Sequence, residues 1–125
     1  MTPEEKARQK IDQWFSDAGW KVVDRDEYEP TCTAVAIREG LLKGNLEADY
    51  FLFINGKAVG VLEAKREETD AFSDKVCNQA VLYARNVPKV YQTYQKPLPF
   101  YFLLQMAKTC IFVIFGSKIL VLSKL

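Results

Sequence analysis

Residues 46–54 (LEADYFLFI) and 57–65 (KAVGVLEAK) flank the dipeptide Asn55-Gly56, and this arrangement constrains the fold more than any other feature of the chain. Asn-Gly favours the left-handed backbone of a two-residue hairpin turn, so the two runs are expected to pair as antiparallel strands. Both runs are apolar at odd and even positions alike. A strand with one wet face alternates apolar and polar residues, whereas a strand apolar on both faces is covered on both. The hairpin is therefore expected at the centre of a sheet.

The flanking text supplies the covering layers. Thr2-Pro3-Glu4-Glu5 reads as a helix start, with Thr2 as cap, Pro3 at the first helical position and Glu5 three residues after the cap. Ile11, Trp14, Phe15 and Ala18 then form an apolar stripe that Gly19 ends, which predicts a helix over about residues 3–18. Short strands are expected at 20–23 and 33–37, with loops at 24–31 and 40–45. A polar segment covers 66–70. Ser73 caps a second helix over about 74–86, with the stripe Val76, Ala80, Tyr83 and Val87, and Pro88 stops it. Apolar strands are expected near 100–105, 110–115 and 118–122. With 125 residues, the order describes one α/β domain: a central mixed β-sheet flanked by helices.

Composition narrows the chemistry. The chain contains no histidine, which removes Ser-His-Asp triads, Cys-His nucleophiles and His-ligated zinc together. The three cysteines, Cys32, Cys77 and Cys110, form no CxxC pair and read as structural thiols in a reducing compartment. A net charge of +1 gives no whole-protein electrostatic attraction to nucleic acid, so a nucleic-acid partner must be argued locally. The charged N-terminus lacks a signal-peptide core, and Lys108 and Lys118 interrupt the apolar tail below membrane-spanning length. A soluble cytoplasmic protein without a membrane partner is expected.

Three charges stand out inside the apolar hairpin: Asp49, Glu63 and Lys65. Residues i and i+2 of a strand share a face, so Glu63 and Lys65 point the same way, and the hairpin brings Asp49 alongside. Charges in a covered strand are unfavourable unless paired, metal-bound or at a cleft. Two carboxylates suit a hard divalent cation such as Mg²⁺, and a lysine can orient or deprotonate an attacking water, which together fit phosphodiester hydrolysis. The spacing D-x13-E-x-K is loose, and an ordinary charge pair at a strand end satisfies it equally.

At these residues the chain resembles the PD-(D/E)xK nucleases, and more closely the N-terminal nuclease domain of type I restriction enzyme R subunits. The resemblance rests on PEEKARQKIDQWFSDAGWKV, on VAIREGLLKGNLEADYFLFINGKAVGVLEAK, and on Gln79-Ala80-Val81-Leu82-Tyr83 followed by LPF, over about residues 2–100. It implies a restriction-endonuclease-like fold. It implies metal-ligand roles for Asp49, Glu63 and the carbonyl of Ala64, and a catalytic site made of Asp49, Glu63, Lys65 and the pair Gln79 and Tyr83, which match a QxxxY element at i and i+4 of one helix. Glu5 is a candidate helper, although its place in the helix cap explains it as well. The implied cofactor is Mg²⁺, with Mn²⁺ as a substitute. The implied partners are double-stranded DNA, a motor domain, and the type I methyltransferase and specificity subunits.

Two departures accompany the resemblance. The chain carries no G-x-x-x-x-G-K-[ST], so no ATP site is expected in it, and it reads as a fragment, a truncated gene product or a stand-alone relative. Residues 101–125 depart from the family's polar turn and aromatic strand. One choice of AT-rich codons for this stretch, read one nucleotide back, gives a family-like continuation, which points to a frameshift near Phe100, real or from sequencing. The rival functions are a catalytically silent remnant that binds DNA or subunits, and a repair- or resolvase-type nuclease.

The hairpin itself poses a conflict. A two-residue turn pairs Ile54 with Lys57 and hence Asp49 with Leu62, which puts Asp49 and Glu63 on opposite faces. A metal-bridging site requires an odd loop or a single β-bulge before Asp49.

Overall fold

The computed structural model describes residues 2–30, 33–65, 73–105, 108–115 and 118–124. Helix α1 (Pro3–Asp17) opens the chain, and its cap is the expected one, with the Glu5 N–H donating to Thr2 Oγ1 at 3.1 Å. Strands β1 (Lys21–Val23), β2 (Ala34–Leu41), β3 (Glu47–Ile54) and β4 (Lys57–Lys65) follow. Helix α2 (Asp74–Arg85) begins at Ser73, whose Oγ accepts the Val76 N–H at 3.3 Å. Strands β5 (Gln92–Thr93), β6 (Phe100–Gln105), β7 (Lys108–Phe115) and β8 (Lys118–Lys124) complete the chain.

The strands form one mixed sheet in the order β1-β2-β3-β4-β6-β7-β8, with β5 paired to the start of β4. β2, β3 and β4 run antiparallel in sequence, while β4 and β6 are parallel and joined through α2. The hairpin β3-β4 is central, as its pattern requires. Ile11 and Phe15 of α1 pack with Ala36, Tyr50, Leu52, Val59 and Leu62 on one side. Val76, Ala80, Tyr83 and Ala84 of α2 pack with Ile37, Phe51, Phe53, Val61 and Tyr101 on the other. No helix among the described residues is long and apolar enough to cross a membrane.

Four sequence expectations need correction. The strand expected at 33–37 runs through Leu41, because Gly40 has no side chain to collide with Phe51 across the pair. β5 lies where the sequence suggests no element, held by two backbone pairs to β4. The apolar stripe of α1 is narrower than expected: Ile11 and Phe15 are buried, but Trp14 is 53% exposed and Ala18 is also exposed. The loop at 24–31 contains a single 3-10 turn, Arg25–Glu27. The polar segment 66–70, Cys32 and the Cys110 side chain lie outside the described residues.

Candidate active site

The site is built by a turn and a bulge. Asn55 (φ 52°) and Gly56 (φ 78°) are both left-handed and Ile54 faces Lys57, so the turn has two residues. Continued regularly, that register would set Asp49 against Leu62. Instead the pairing shifts between Leu52 and Phe53: Phe53 faces Ala58, Leu52 faces Gly60, and Val59 is an extra residue in β4. The core memberships carry the same phase change. Ala58 and Val61 belong to the α2 side and Val59 and Leu62 to the α1 side, a spacing of three where a regular strand gives two. From the bulge onward Phe51 faces Val61 and Tyr50 faces Leu62, so the next step sets Asp49 beside Glu63. Gly60, at the bulge, is where β4 comes closest to β6, and a Cβ there would lie 2.5 Å from the Phe100 carbonyl oxygen.

Beyond Tyr50–Leu62 the two carboxylates take over from the backbone ladder. The Asp49 N–H donates to Glu63 Oε1 at 3.2 Å, and the Ala64 N–H donates to Asp49 Oδ2 at 2.8 Å. Each strand thus supplies a backbone donor to the other strand's carboxylate, which fixes both groups side by side. Glu63 is 6% exposed. Burial, and next the negative charge of Asp49, push its carboxyl up to about 8, against the opposing pull of the Asp49 N–H and the Lys65 ammonium. Without a cation Glu63 is therefore held as the neutral acid at neutral pH.

The other sequence candidates surround this pair at different distances. Lys65 ends β4, half-buried, two residues past Glu63. Gln79 and Tyr83 do come together on α2, Nε2 to hydroxyl at 3.5 Å. The Tyr83 hydroxyl donates to the Glu47 carbonyl at 3.4 Å, so these two residues brace the start of β3 and make no hydrogen bond to either carboxylate among the described residues. Burial pushes the Tyr83 phenol up, and the charges of Glu63 and Asp49 add to it. Glu5 is exposed, and its carboxylate makes no hydrogen bond or ion pair among the described residues.

Three neighbours of the pair escaped the sequence reading. Arg8 Nη2 lies 3.7 Å from Asp49 Oδ1, while its Nη1 is 2.7 Å from Glu39 Oε1. Glu39 holds a left-handed backbone (φ 52°) within β2, a conformation uncommon for a residue with a side chain. Tyr101 is buried with its hydroxyl unpartnered among the described residues, and burial and then the charge of Glu63 push its phenol up. A signal for Arg8 existed: it stands three and seven residues before Ile11 and Phe15, so it extends the buried face of α1 with a charge. Tyr101 reads as one more apolar residue in an apolar strand, and Glu39 as a loop flank.

The donor set fits a hard divalent cation. Two adjacent carboxylates and the neighbouring Ala64 carbonyl are oxygen ligands of the kind Mg²⁺ takes. Among the described residues no cluster of three or more His, Cys, Asp or Glu forms, so water would complete the coordination, as Mg²⁺ prefers. A cation would also offset the burial and the repulsion from Asp49 that keep Glu63 protonated.

A family model, the type I restriction enzyme EcoKI endonuclease subunit second domain, matches residues 26–101, a span that contains Asp49, Glu63, Ala64, Lys65, Gln79 and Tyr83. No curated protein and no solved structure matches the chain. The matched span is 76 of 125 residues, more than half, and carries the whole β3-β4 hairpin with the helix that braces it. The chain belongs to the family of the type I restriction enzyme EcoKI endonuclease subunit second domain.

Proposed function

We propose that this domain is a Mg²⁺-dependent endonuclease of the PD-(D/E)xK kind, which hydrolyses phosphodiester bonds of double-stranded DNA as part of a type I restriction enzyme R subunit. The observation that carries the reading is the reciprocal clamp of Asp49 and Glu63 on each other's backbone, placed by a bulge that has no other evident use. Structural carboxylates are normally paired with cations of their own, whereas here a buried acid is set beside a second acid.

In this reading Asp49, Glu63 and the Ala64 carbonyl hold the cation, for which Mn²⁺ substitutes. The bound metal supplies Lewis acidity toward the scissile phosphate and lowers the pKa of a coordinated water. Lys65 orients the attacking water and offsets the charge that builds on the phosphoryl oxygens. One P–O bond forms to the water oxygen, another breaks to the sugar oxygen, and that oxygen takes up a proton. Gln79 and Tyr83 keep the start of β3 in place, and Arg8 aligns Asp49 Oδ1. The motor domain and the methyltransferase and specificity subunits are the partners that would deliver DNA to this domain.

The test pairs binding with cleavage. Calorimetric titration with Mg²⁺ and Mn²⁺ is expected to show one site that Asp49→Ala abolishes. Supercoiled plasmid is expected to be nicked by the wild type and left intact by Lys65→Ala, with unchanged thermal stability because a half-exposed strand-end lysine contributes little packing. Metal binding without nicking would make the chain a silent DNA- or subunit-binding remnant. Equal metal binding by Asp49→Ala would refute the site.

A further inference from the structure

A second feature lies at the C-terminal end of α2. A cavity of about 360 Å³ opens between the last turn of α2, the 3-10 turn before β3 and the segment leading to β6. Its charged lining is entirely basic: Lys43, Arg85, Lys89 and Lys96, with Val87 and Tyr91 among the apolar residues beneath. All four cations are exposed, and among the described residues none is ion-paired, whereas Arg8, Arg25 and Arg38 all are. The charge of the last helical turn explains Arg85 alone, through the helix dipole. Lys43, Lys89 and Lys96 converge from three other places in the chain. Four unpaired like charges around one concavity repel each other, and in a chain of net charge +1 they are a local concentration of positive potential.

The walls are fixed. The Lys43 N–H donates to the Asn86 carbonyl at 2.7 Å, and the Leu98 N–H donates to the Ala84 carbonyl at 3.0 Å. Tyr91 packs its ring 5.6 Å from Phe51 and 5.0 Å from Phe53. The cavity also shares its scaffold with the carboxylate pair. Tyr83, one residue before Ala84, touches the carbonyl of Glu47, which is two residues, or roughly 7 Å of strand, from Asp49. Thr93 of the lining pairs with Ala58, five residues or roughly 16 Å along β4 from Glu63.

We propose that this cavity is a docking site for DNA backbone phosphates, which holds the substrate strand in register with the Asp49–Glu63 pair. Contacts to phosphate carry no sequence information, so the site positions DNA without selecting a sequence. The inference rests on the nuclease reading for its occupant, and binding is measured apart from chemistry to keep the two distinguishable.

The experiment compares the wild type with Lys43→Gln, Arg85→Gln, Lys89→Gln and Lys96→Gln combined, using fluorescence anisotropy of a short labelled duplex in EDTA. The wild type is expected to bind, and the variant to lose at least about tenfold in affinity, with its log K against log salt slope reduced by about 0.9 per phosphate contact removed. An unchanged urea midpoint identifies the variant as folded, since all four side chains are exposed. Wild-type affinity and slope in the folded variant would overturn the docking site and leave the nuclease reading standing. DNA binding lost with these four cations, in a protein that binds no Mg²⁺, would support the docking site while removing the nuclease reading.

Discussion

Replacing Glu63 with glutamine should stabilise the metal-free protein at alkaline pH, although it removes a residue proposed as essential. The folded-state carboxyl sits near 8 against an ordinary 4.5, and at 1.36 kcal/mol per pH unit that difference is worth roughly 5 kcal/mol. The sign follows from proton binding. The folded state holds the proton that the unfolded state has released, so stability is fully present below 4.5 and is lost as pH rises through about 8. Between about pH 5.5 and about pH 8.5 the two-state linkage relation gives a loss of roughly 3 kcal/mol. A glutamine keeps an oxygen to accept the Asp49 N–H, offers its amide to the Asp49 carboxylate, and never ionises. The chain has no histidine, and whatever else titrates in this window is common to the two proteins and cancels between them. Urea unfolding in EDTA, followed by tryptophan fluorescence, is expected to show a falling midpoint for the wild type and a flat one for Glu63→Gln. Added Mg²⁺ is expected to restore the wild type at alkaline pH and leave the variant unchanged. Parallel stability profiles for the two proteins would refute the buried acid, because a Glu63 that ionises freely in the folded state gives no such difference.

Tyr101→Phe should raise stability by about 1 kcal/mol in a urea series, since it removes a buried hydroxyl without a partner among the described residues; a loss of similar size would mean that the hydroxyl is satisfied by bound water. Deletion of Val59 should leave Mg²⁺ affinity unchanged while costing about 2 kcal/mol of stability, because Phe53–Ala58 and Leu52–Gly60 then become consecutive pairs and only the packing of Val59 against the α1 side is lost. A gain of metal binding on that deletion would show that the intact hairpin is unbulged and that Asp49 faces Leu62 in it.

The sheet's centre was legible because Asn55-Gly56 and two doubly apolar runs leave little choice: the turn has two residues and both faces are covered. Both helices were legible for the same reason, from caps at Thr2 and Ser73. The edges of the pattern were not. Glu39-Gly40 reads as loop text, and only the approach of Phe51 shows why a glycine extends β2. Trp14 shares the helical phase of Ile11 yet stays exposed, because a helix lying on a sheet buries a stripe narrower than four apolar positions.

The bulge marks the limit of sequence reading most sharply. Local turn chemistry chose one register and the chemistry of the carboxylates required the other, and hydrophobicity could not arbitrate because both faces of both strands are apolar. The structure satisfies both by inserting Val59, a residue equally suited to either side, at the point where Gly60 must pass close to β6. Position 59 therefore does more than fill space. Left out of the ladder, it keeps a hairpin whose turn is fixed by Asn55-Gly56 in the register that brings two acids together some five residue pairs away, the same register that its deletion would leave. A fold that only needed stability would have kept the regular ladder, since an interrupted one gives up backbone pairing. The acid pair and the left-handed Glu39 beside it concentrate locally unfavourable features at one end of β3 and β4, the bulge nearer the turn sets the register that brings the acids together, and the rest of the sheet is regular enough to hold them.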